Sequence, residues 1–457
     1  MKDAINRAFN LRPRELSTVL VLGLILLCNS VAVQISGIIS VSNFLSTGGV
    51  NYFPIVWLVD YLLILLIAGI QSLIVDRFDR LSLMRGMIFG FALVFTFLRV
   101  LFIFRVPGWL NYSLLYLLAE QQDLFVPLVF WILANDIFDM AQTKRLFPLI
   151  ASWGLAGKLL GIGITAASSG LLTQLDIKPE EMLTFNILIY MLVFMLILGG
   201  LSSVKLRQTR QKTETVRETL TEGWNFVRDV PSFRYLMLAI LALSLCDVIV
   251  GFRFYVVSDS VFSDPASYQR FFSFYRLAVT LAGFLVQSFL SSRIINRISL
   301  KNTFLILPFT TLASVASMIA MPGIISGVGG MSVLSLTRDT ITESARKAFQ
   351  ALVPEERRGR VSMFMDSYLP AGGIIVGSLA ISLIVFTGLL FDIPNYFYVY
   401  LAVAVLVALF SIWAIFKMRS VYDSSLFNWR LKRRQRGRSV LDSGIMKSLA
   451  DLADEER

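Results

Sequence analysis

The segment LCNSVAV at residues 27–33 lies inside the first apolar run of the chain, and LCDVIVG at 245–251 lies inside the seventh. Aligning them places Cys28 opposite Cys246. Two further pairs of segments recur in the same order and at nearly the same spacing, VDRFDRLSL with SSRIINRISL and GLAGKLLG with PAGGIIVG. Three ordered matches predict that the chain is an internal duplication in which six apolar runs separate equivalent positions.

The apolar runs set the fold class. The chain is 56% hydrophobic and only 16% charged, with a mean hydropathy of +0.70, whereas soluble domains average about 25% charged residues. The runs are long enough to cross the hydrocarbon core as helices, and we place them at roughly 17–41, 52–75, 84–104, 110–135, 146–172, 182–204, 233–256, 271–292, 302–321, 323–345, 364–390 and 395–417. The sequence therefore predicts an all-α polytopic membrane protein of about twelve transmembrane helices. They form two parallel six-helix repeats, as in the major facilitator architecture, with a site between them near the midplane.

The basic residues follow the same pattern, because they concentrate at the two termini and in the loops after every second run. By the positive-inside rule both termini are predicted to be cytoplasmic, in a multi-pass protein of the cell inner membrane. The expected divisions are an N-terminal bundle at 1–204, a cytoplasmic linker at 205–232, a C-terminal bundle at 233–417 and a basic cytoplasmic tail at 418–457. The net charge of +11 then reflects topology, so we expect membrane lipids as neighbours and no nucleic acid as a partner. The tail is a candidate docking segment for a cytosolic partner.

Enzymatic function is disfavoured by the residue inventory. The sequence has no histidine, which excludes imidazole ligands and Ser–His catalysis, and its two cysteines lie within apolar runs. GLAGKLLG differs from a phosphate-binding loop in its glycine-to-lysine spacing, and no Ser or Thr follows Lys158. We predict no catalytic residues, no metal site and no cofactor. The small-residue pairs Gly157–Gly161 and Gly373–Gly377 are expected to make close helix contacts.

The loop after the second run resembles the loop signature of major facilitators, with Asp76, Arg77 and Arg80 at charged positions. Together with Lys144 and Arg145 in the loop after the fourth run, these residues are predicted to form a conformational latch between helices. The alternative is an ordinary positive-inside loop.

Ionisable residues inside the runs are candidates for a substrate site, because each is costly in hydrocarbon without a partner or water. The candidate site residues are Arg99, Glu120, Lys158, Asp247, Arg276 and Arg338. The four cations would suit an anionic substrate, while Glu120 and Asp247 would act as charge partners or carry a coupling proton. The alternative is a set of internal ion pairs that only fixes helix packing.

The segment from 119 to 157 is similar to the fourth-to-fifth-span region of the ATP/ADP translocases of plastids and intracellular bacteria. The similarity rests on Glu120, Phe130, Trp131, Ala134, Asn135, Lys144, Arg145 and Phe147. It implies nucleotide exchange by a major-facilitator type of carrier. The stretch NSVAVQISG is nearly neutral where those carriers bear charged residues in the first span, so the substrate remains open between a nucleotide and another phosphorylated metabolite.

These observations favour a secondary transporter that moves a small organic anion by alternating access. Two other hypotheses are transport of a lipid or lysolipid, which a lateral opening lined by Phe would favour, and a non-transporting membrane platform that recruits a cytosolic partner.

Overall fold

The structure is a computed structural model that describes residues 15–74, 79–174, 178–201, 216–350, 352–353 and 355–424. Within these ranges the regular structure is entirely helical, as expected for spans whose backbone groups must be satisfied internally. In the first half the helices are α1 Leu16–Gly48, α2 Phe53–Ile74, α3 Arg80–Ile103, α4 Gly108–Ile137, α5 Met140–Gln174 and α6 Met182–Gly200. A shorter helix, α7 Val216–Asp229, precedes the second half.

The second half contains six further helices: α8 Pro231–Val261, α9 Pro265–Ile298, α10 Leu300–Ala320, α11 over 324–350, α12 over 355–390 and α13 Phe397–Ser424. Three of them contain a π-helical turn, at Val286–Leu290 in α9, Thr337–Thr342 in α11 and Phe364–Tyr368 in α12. Local sequence sets several helix starts. Asp79 caps α3 by accepting from the Ser82 amide at 3.1 Å, and Asp264 caps α9 by accepting from the Ser267 amide at 2.9 Å.

Eleven helices in the described part of the chain are long and apolar enough to cross a membrane. The predicted span at 323–345 corresponds to α11, which is long enough but carries Arg338 and Asp339 in its π turn. The all-α membrane fold predicted from the sequence is therefore confirmed. The duplication is visible in burial as well, because α1 and α8, which carry the matched Cys28 and Cys246, are the most buried spanning helices.

Glycines bring α5 onto α1, and α12 onto α8, at very short distance. A Cβ at Gly157 would lie 2.4 Å from the Leu27 carbonyl oxygen, and one at Gly373 would lie 2.5 Å from the Leu241 carbonyl oxygen. The close helix contacts predicted for the two small-residue pairs are thus confirmed, one in each half.

The two halves touch at the end where α1 and α5 finish and α2 and α9 begin, which we call the closed end. Gln269 of α9 donates from Nε2 to the Thr165 carbonyl of α5 at 3.0 Å and to Ser168 Oγ at 3.3 Å. The Tyr255 ring of α8 stacks on Phe53 of α2, with ring centroids 4.7 Å apart. These contacts are buried and join helices of different halves.

At the opposite end, which we call the open end, the ion pairs described below lie within each half. Arg145 at the start of α5 bonds Glu15 before α1 at 2.8 Å, and both residues belong to the first half. In the second half, Arg346 of α11 lies 3.0 Å from the Asp366 carboxylate of α12, and Lys301 lies 2.6 Å from that of Asp423. Each of these ion pairs holds one half together.

Helix α7 is attached to the second half. Glu222 pairs with Arg357 at 3.2 Å and also with Arg360, both on α12. A Cβ at Gly223 would lie 2.6 Å from Phe364, so the helices approach closely at that point. The described part of the predicted linker is therefore joined to α12.

The glycine contacts predict a selective effect on stability. Gly157→Ala places a methyl group against backbone that cannot move aside, and we expect a loss of about 1–3 kcal/mol. Gly163→Ala on the same helix is the matched control, because nothing lies within 4 Å of its added Cβ. In a Cys246→Ala background, the measurement is the temperature at which the buried thiol of Cys28 becomes reactive to a maleimide dye. Equal transition temperatures for the two variants would contradict the packing argument.

Candidate functional site

Tyr61 on α2 marks the place where charged side chains of the two halves come together. It lies within electrostatic range of Asp60 and Glu120 from the first half and of Asp247 and Arg338 from the second. The arrangement gathers groups from four helices at the interface between the halves.

Arg338 is the most strongly engaged cation of this cluster. Its Nη1 donates to Asp247 Oδ2 on α8, and its Nε donates to Asp339 Oδ1 at 2.7 Å. The Arg338 side chain is 38% exposed and that of Asp339 is 58% exposed, whereas the Asp247 side chain is 22% exposed. Since α11 has a π turn here, two successive ionisable residues are presented at the same site.

A cavity of about 400 Å³ extends from this pair through the second half. Tyr61 lines it from the first half, and its charged lining residues are Asp247, Arg338, Asp339, Glu343, Arg346 and Asp366. The volume is in the range of small-molecule sites.

The second group of charges lies between α4 and α9. Glu120 is half-buried beside the Tyr116 hydroxyl, which accepts a hydrogen bond from the Trp57 indole at 3.0 Å, and it is in electrostatic range of Arg276. The Arg276 guanidinium lies 5.4 Å from the centre of the Phe272 ring. Tyr275, the neighbour of Arg276, is in electrostatic range of both Arg276 and Arg338, so the two groups are adjacent.

Acidic groups outnumber basic groups in this combined region. The region holds the carboxyl groups of Asp60, Glu120, Asp123, Asp247 and Asp339 but only two guanidiniums, those of Arg276 and Arg338. A region with this balance receives an anion readily only if part of its negative charge is neutralised.

Comparison with known proteins decides the family. The sequence model of the TLC ATP/ADP transporter family matches residues 91–335, which is more than half of the chain. The protein belongs to this family. A search of curated proteins gives no match.

Solved structures of several transporters share the fold of this family member. A bacterial homologue of the iron transporter ferroportin, in an inward-facing state, superposes with a TM-score of 0.62 at 14% identity, covering 90% of this chain and 100% of that one. The peptide transporter PepTSo superposes with a TM-score of 0.59 at 13% identity, covering 91% of this chain and 99% of that one. The nucleoside transporter NupG superposes with a TM-score of 0.57 at 15% identity, covering 88% of this chain and 98% of that one. At these identities the likeness concerns the fold alone. Family and fold are those of multi-pass membrane transporters.

The structure brings together four of the six predicted site residues of this family member, namely Glu120, Asp247, Arg276 and Arg338. Arg99 lies elsewhere, where it pairs with Glu181 in a surface cavity of about 610 Å³ that Arg105 and Lys178 also line. Lys158 is exposed on α5. A role of these six residues in binding stays a prediction.

The predicted latch residues are only partly described. Asp76 and Arg77 lie outside the described residues, and the side chain of Lys144 does as well. Arg80 lies 3.7 Å from the Asp136 carboxylate of α4, and Arg145 bonds Glu15 at 2.8 Å. Both pairs join elements of the first half at the open end.

Two buried ionisable residues of the spanning helices were not among those singled out from the sequence, and Asp60 belongs to this region. Asp60 is 1% exposed in the middle of α2, and its position inside the apolar run PIVWLVDYLLILL already marked it. Arg253 on α8 is 6% exposed, with its guanidinium 4.1 Å from the Phe397 ring centre. Both are ionisable residues inside apolar runs, which is the criterion that selected Glu120 from the sequence.

The ion pairs predict unequal contributions to stability. Arg338→Gln leaves Asp247 without its cation, and we expect a loss of about 1–3 kcal/mol. Arg99→Gln leaves a carboxylate that water already reaches, because Glu181 is 47% exposed whereas Asp247 is 22% exposed, and it should cost at most about 1 kcal/mol. Thermal unfolding of the purified proteins in detergent measures both. Adding Asp247→Asn to Arg338→Gln should recover most of the loss, and an equal loss in the two single variants would refute the assignment.

Proposed function

We propose that this protein is a secondary transporter that moves a small organic anion, a nucleotide or another phosphorylated metabolite, across the cell inner membrane. The moving parts are the bundles at 1–204 and 233–417, joined by the linker at 205–232, with both termini in the cytoplasm. In this orientation the closed end faces away from the cytoplasm and the open end faces it.

The observation that carries the proposal is the meeting of charged side chains from both halves around Tyr61. A site that both halves share is one that a rocking motion exposes first to one side and then to the other. Gln269 and Tyr255 fasten the halves beyond the site, while the ion pairs at the open end lie within each half. This arrangement supports access from the open end.

Within the site, Arg338 is the residue that would recognise the anion. Its guanidinium already bonds two carboxylates, and that of Asp339 is the more exposed of the two. Asp339 would therefore occupy the position of a substrate phosphate or carboxylate in the empty carrier, and Asp247 would orient the guanidinium from behind. Arg276 would provide a second positive charge from α9.

The remaining predicted roles belong to the same proposal. Arg80 and Arg145 would take part in the latch, because they hold the helix ends of the first half together at the open end. Lys158, exposed on α5, would meet the substrate during its entry, whereas Arg99 would contribute to charge at the closed end.

One observation favours a lipid or lysolipid as a second candidate substrate. A groove of about 690 Å³ lies along α9 and α11, with an apolar lining that includes Phe262, Phe271 and Phe274. Tyr275 lines this groove and also lies in electrostatic range of Arg338. An acyl chain in the groove would bring its headgroup towards the charged region.

Counterflow in proteoliposomes tests the proposal. Vesicles loaded with unlabelled ADP, or with an unlabelled phosphorylated metabolite, are placed in radiolabelled ATP or in the labelled metabolite, and fluorescent lysolipid is followed in parallel vesicles. We expect wild type to accumulate a labelled anion. Accumulation of lysolipid alone would favour the second candidate, and no uptake of any anion would overturn the first.

Substitutions at the adjacent residues Arg338 and Asp339 should change the apparent KM of this counterflow in opposite directions. Arg338→Gln removes charge-assisted hydrogen bonds worth about 1.5–3 kcal/mol, so the apparent KM should rise roughly 10- to 100-fold. Asp339→Asn removes the competing carboxylate, and the apparent KM should fall. A lower KM in both variants, or a higher one in both, would contradict the role given to Arg338.

Locking the closed end should stop transport. In a background with both native cysteines replaced by alanine, Ser168→Cys and Gln269→Cys are joined across the halves by a reducible bifunctional thiol reagent. We expect counterflow to stop and to return on reduction. The control pair is Thr47→Cys with Gly108→Cys, which lies at the same end within the first half. Continued transport in the locked protein would refute alternating access at this end.

A further inference from the structure

Asp60 is a buried carboxyl group in the middle of a membrane-spanning helix. It is 1% exposed, and its Oδ1 accepts a hydrogen bond from the Gln121 side-chain amide at 2.9 Å. An amide donor leaves a full negative charge uncompensated, and an ionised carboxylate in such surroundings is strongly disfavoured.

The charges around Asp60 add to this effect. Glu120 on α4 is in electrostatic range, as are the hydroxyls of Tyr61 on α2 and Tyr116 on α4. The guanidiniums of the region face other carboxylates, since Arg338 bonds Asp247 and Asp339 and Arg276 faces Glu120.

On the other helices packed against α2 the ionisable groups face partners of their own, and Asp247 of α8 bonds Arg338. Tyr255 of α8 faces Trp57 and Phe53, which lie one and two turns from Asp60 towards the closed end. On α12, Asp366 pairs with Arg346 and Lys347 at the open end. Burial of Asp60 and the neighbouring carboxyl of Glu120 therefore act in the same sense, and both oppose ionisation of Asp60.

Gln121 supplies an independent observation. Its side chain is 7% exposed, and its Oε1 is buried without a hydrogen-bond partner among the described residues. An unpaired buried acceptor is costly. A protonated Asp60 provides an O–H donor beside it, so that acid and amide satisfy each other.

We propose that Asp60 is a proton-binding site gated by the contact between the halves, and that its proton accompanies the anionic substrate through the carrier. The coupling to an anion rests on the proposed function, whereas the gated proton site does not. The helix that carries Asp60 reaches the other half through Phe53 and Trp57, which contact Tyr255. When the closed end opens, water reaches Asp60 and the carboxyl releases its proton.

The proton also lowers the excess negative charge of the site. With Asp60 neutral, the surplus of carboxylates over guanidiniums around Tyr61 falls by one, and an entering anion meets less repulsion. Proton binding and anion binding then favour each other, because each lowers the electrostatic cost of the other.

Infrared difference spectroscopy of the purified protein tests the proton site without any substrate. Wild type at neutral pH should show a carboxylic-acid C=O band that Asp60→Asn lacks and Asp60→Glu restores. Asp339→Asn is the matched control and should keep the band, because the Asp339 carboxylate is held by Arg338 at 2.7 Å and is 58% exposed. A band that persists unchanged in Asp60→Asn would overturn the proposal.

The gate is tested with the Ser168→Cys and Gln269→Cys lock. As pH rises, the band should disappear at a lower pH in the unlocked protein than in the locked one, because locking keeps water from the carboxylate. Identical pH profiles would overturn the gating. This outcome is independent of whether the protein exchanges nucleotides, so it separates a failure of this inference from a failure of the proposed function.

Coupling is tested with radiolabelled ATP in vesicles that carry an imposed pH gradient. Asp60→Asn should lose the accumulation driven by the gradient, and its remaining counterflow should no longer vary with pH. Gradient-driven accumulation equal to wild type in Asp60→Asn would overturn the coupling, and so would wild-type counterflow that ignores the gradient.

Discussion

A charged side chain within the bilayer has to be paired, protonated or reached by water, and this constraint organises the whole interface between the halves. Arg338 meets it by bonding Asp247 and Asp339, and Arg276 meets it beside Glu120. Asp60 has an amide for a partner, so protonation is the remaining way to meet the constraint. A group without a partner of opposite charge, such as Asp60, is the one whose charge changes most easily when the halves move.

The duplication makes the two halves alike in fold and different in chemistry. At the matched position, the first half has Asn29 and the second has Asp247. Asn29 accepts from the Tyr190 hydroxyl at 2.8 Å in a neutral network, whereas Asp247 binds the guanidinium of Arg338. The second half therefore supplies the cations of the site, and the first half supplies Asp60 and Glu120. A substrate and a proton held at this interface contact different halves.

The sequence predicted the fold well because periodic apolar runs and positive loops reflect the bilayer directly. It identified Glu120, Asp247, Arg276 and Arg338 by the cost of a charge in hydrocarbon, and the structure places these four in one region. The same rule was insufficient for Arg99, because a residue near a helix end can reach a loop carboxylate such as Glu181. Which charges pair depends on helix rotation, and rotation is fixed by contacts between helices that one sequence does not reveal.

The π turns show why that rotation matters. A π turn inserts an extra residue into a helix and shifts the side chains that follow it. In α11 the turn presents Arg338 and Asp339 together, and in α12 it contains Asp366, which faces Arg346 of α11. Both turns line one cavity, with α7 fastened to α12 next to the second of them through Gly223 and Phe364. A change of register in the α11 turn would move Arg338 relative to Asp247, and a change in the α12 turn would move Asp366 relative to Arg346. The two turns therefore set which charges pair along this cavity, and the packing of α7 bears on the second of them.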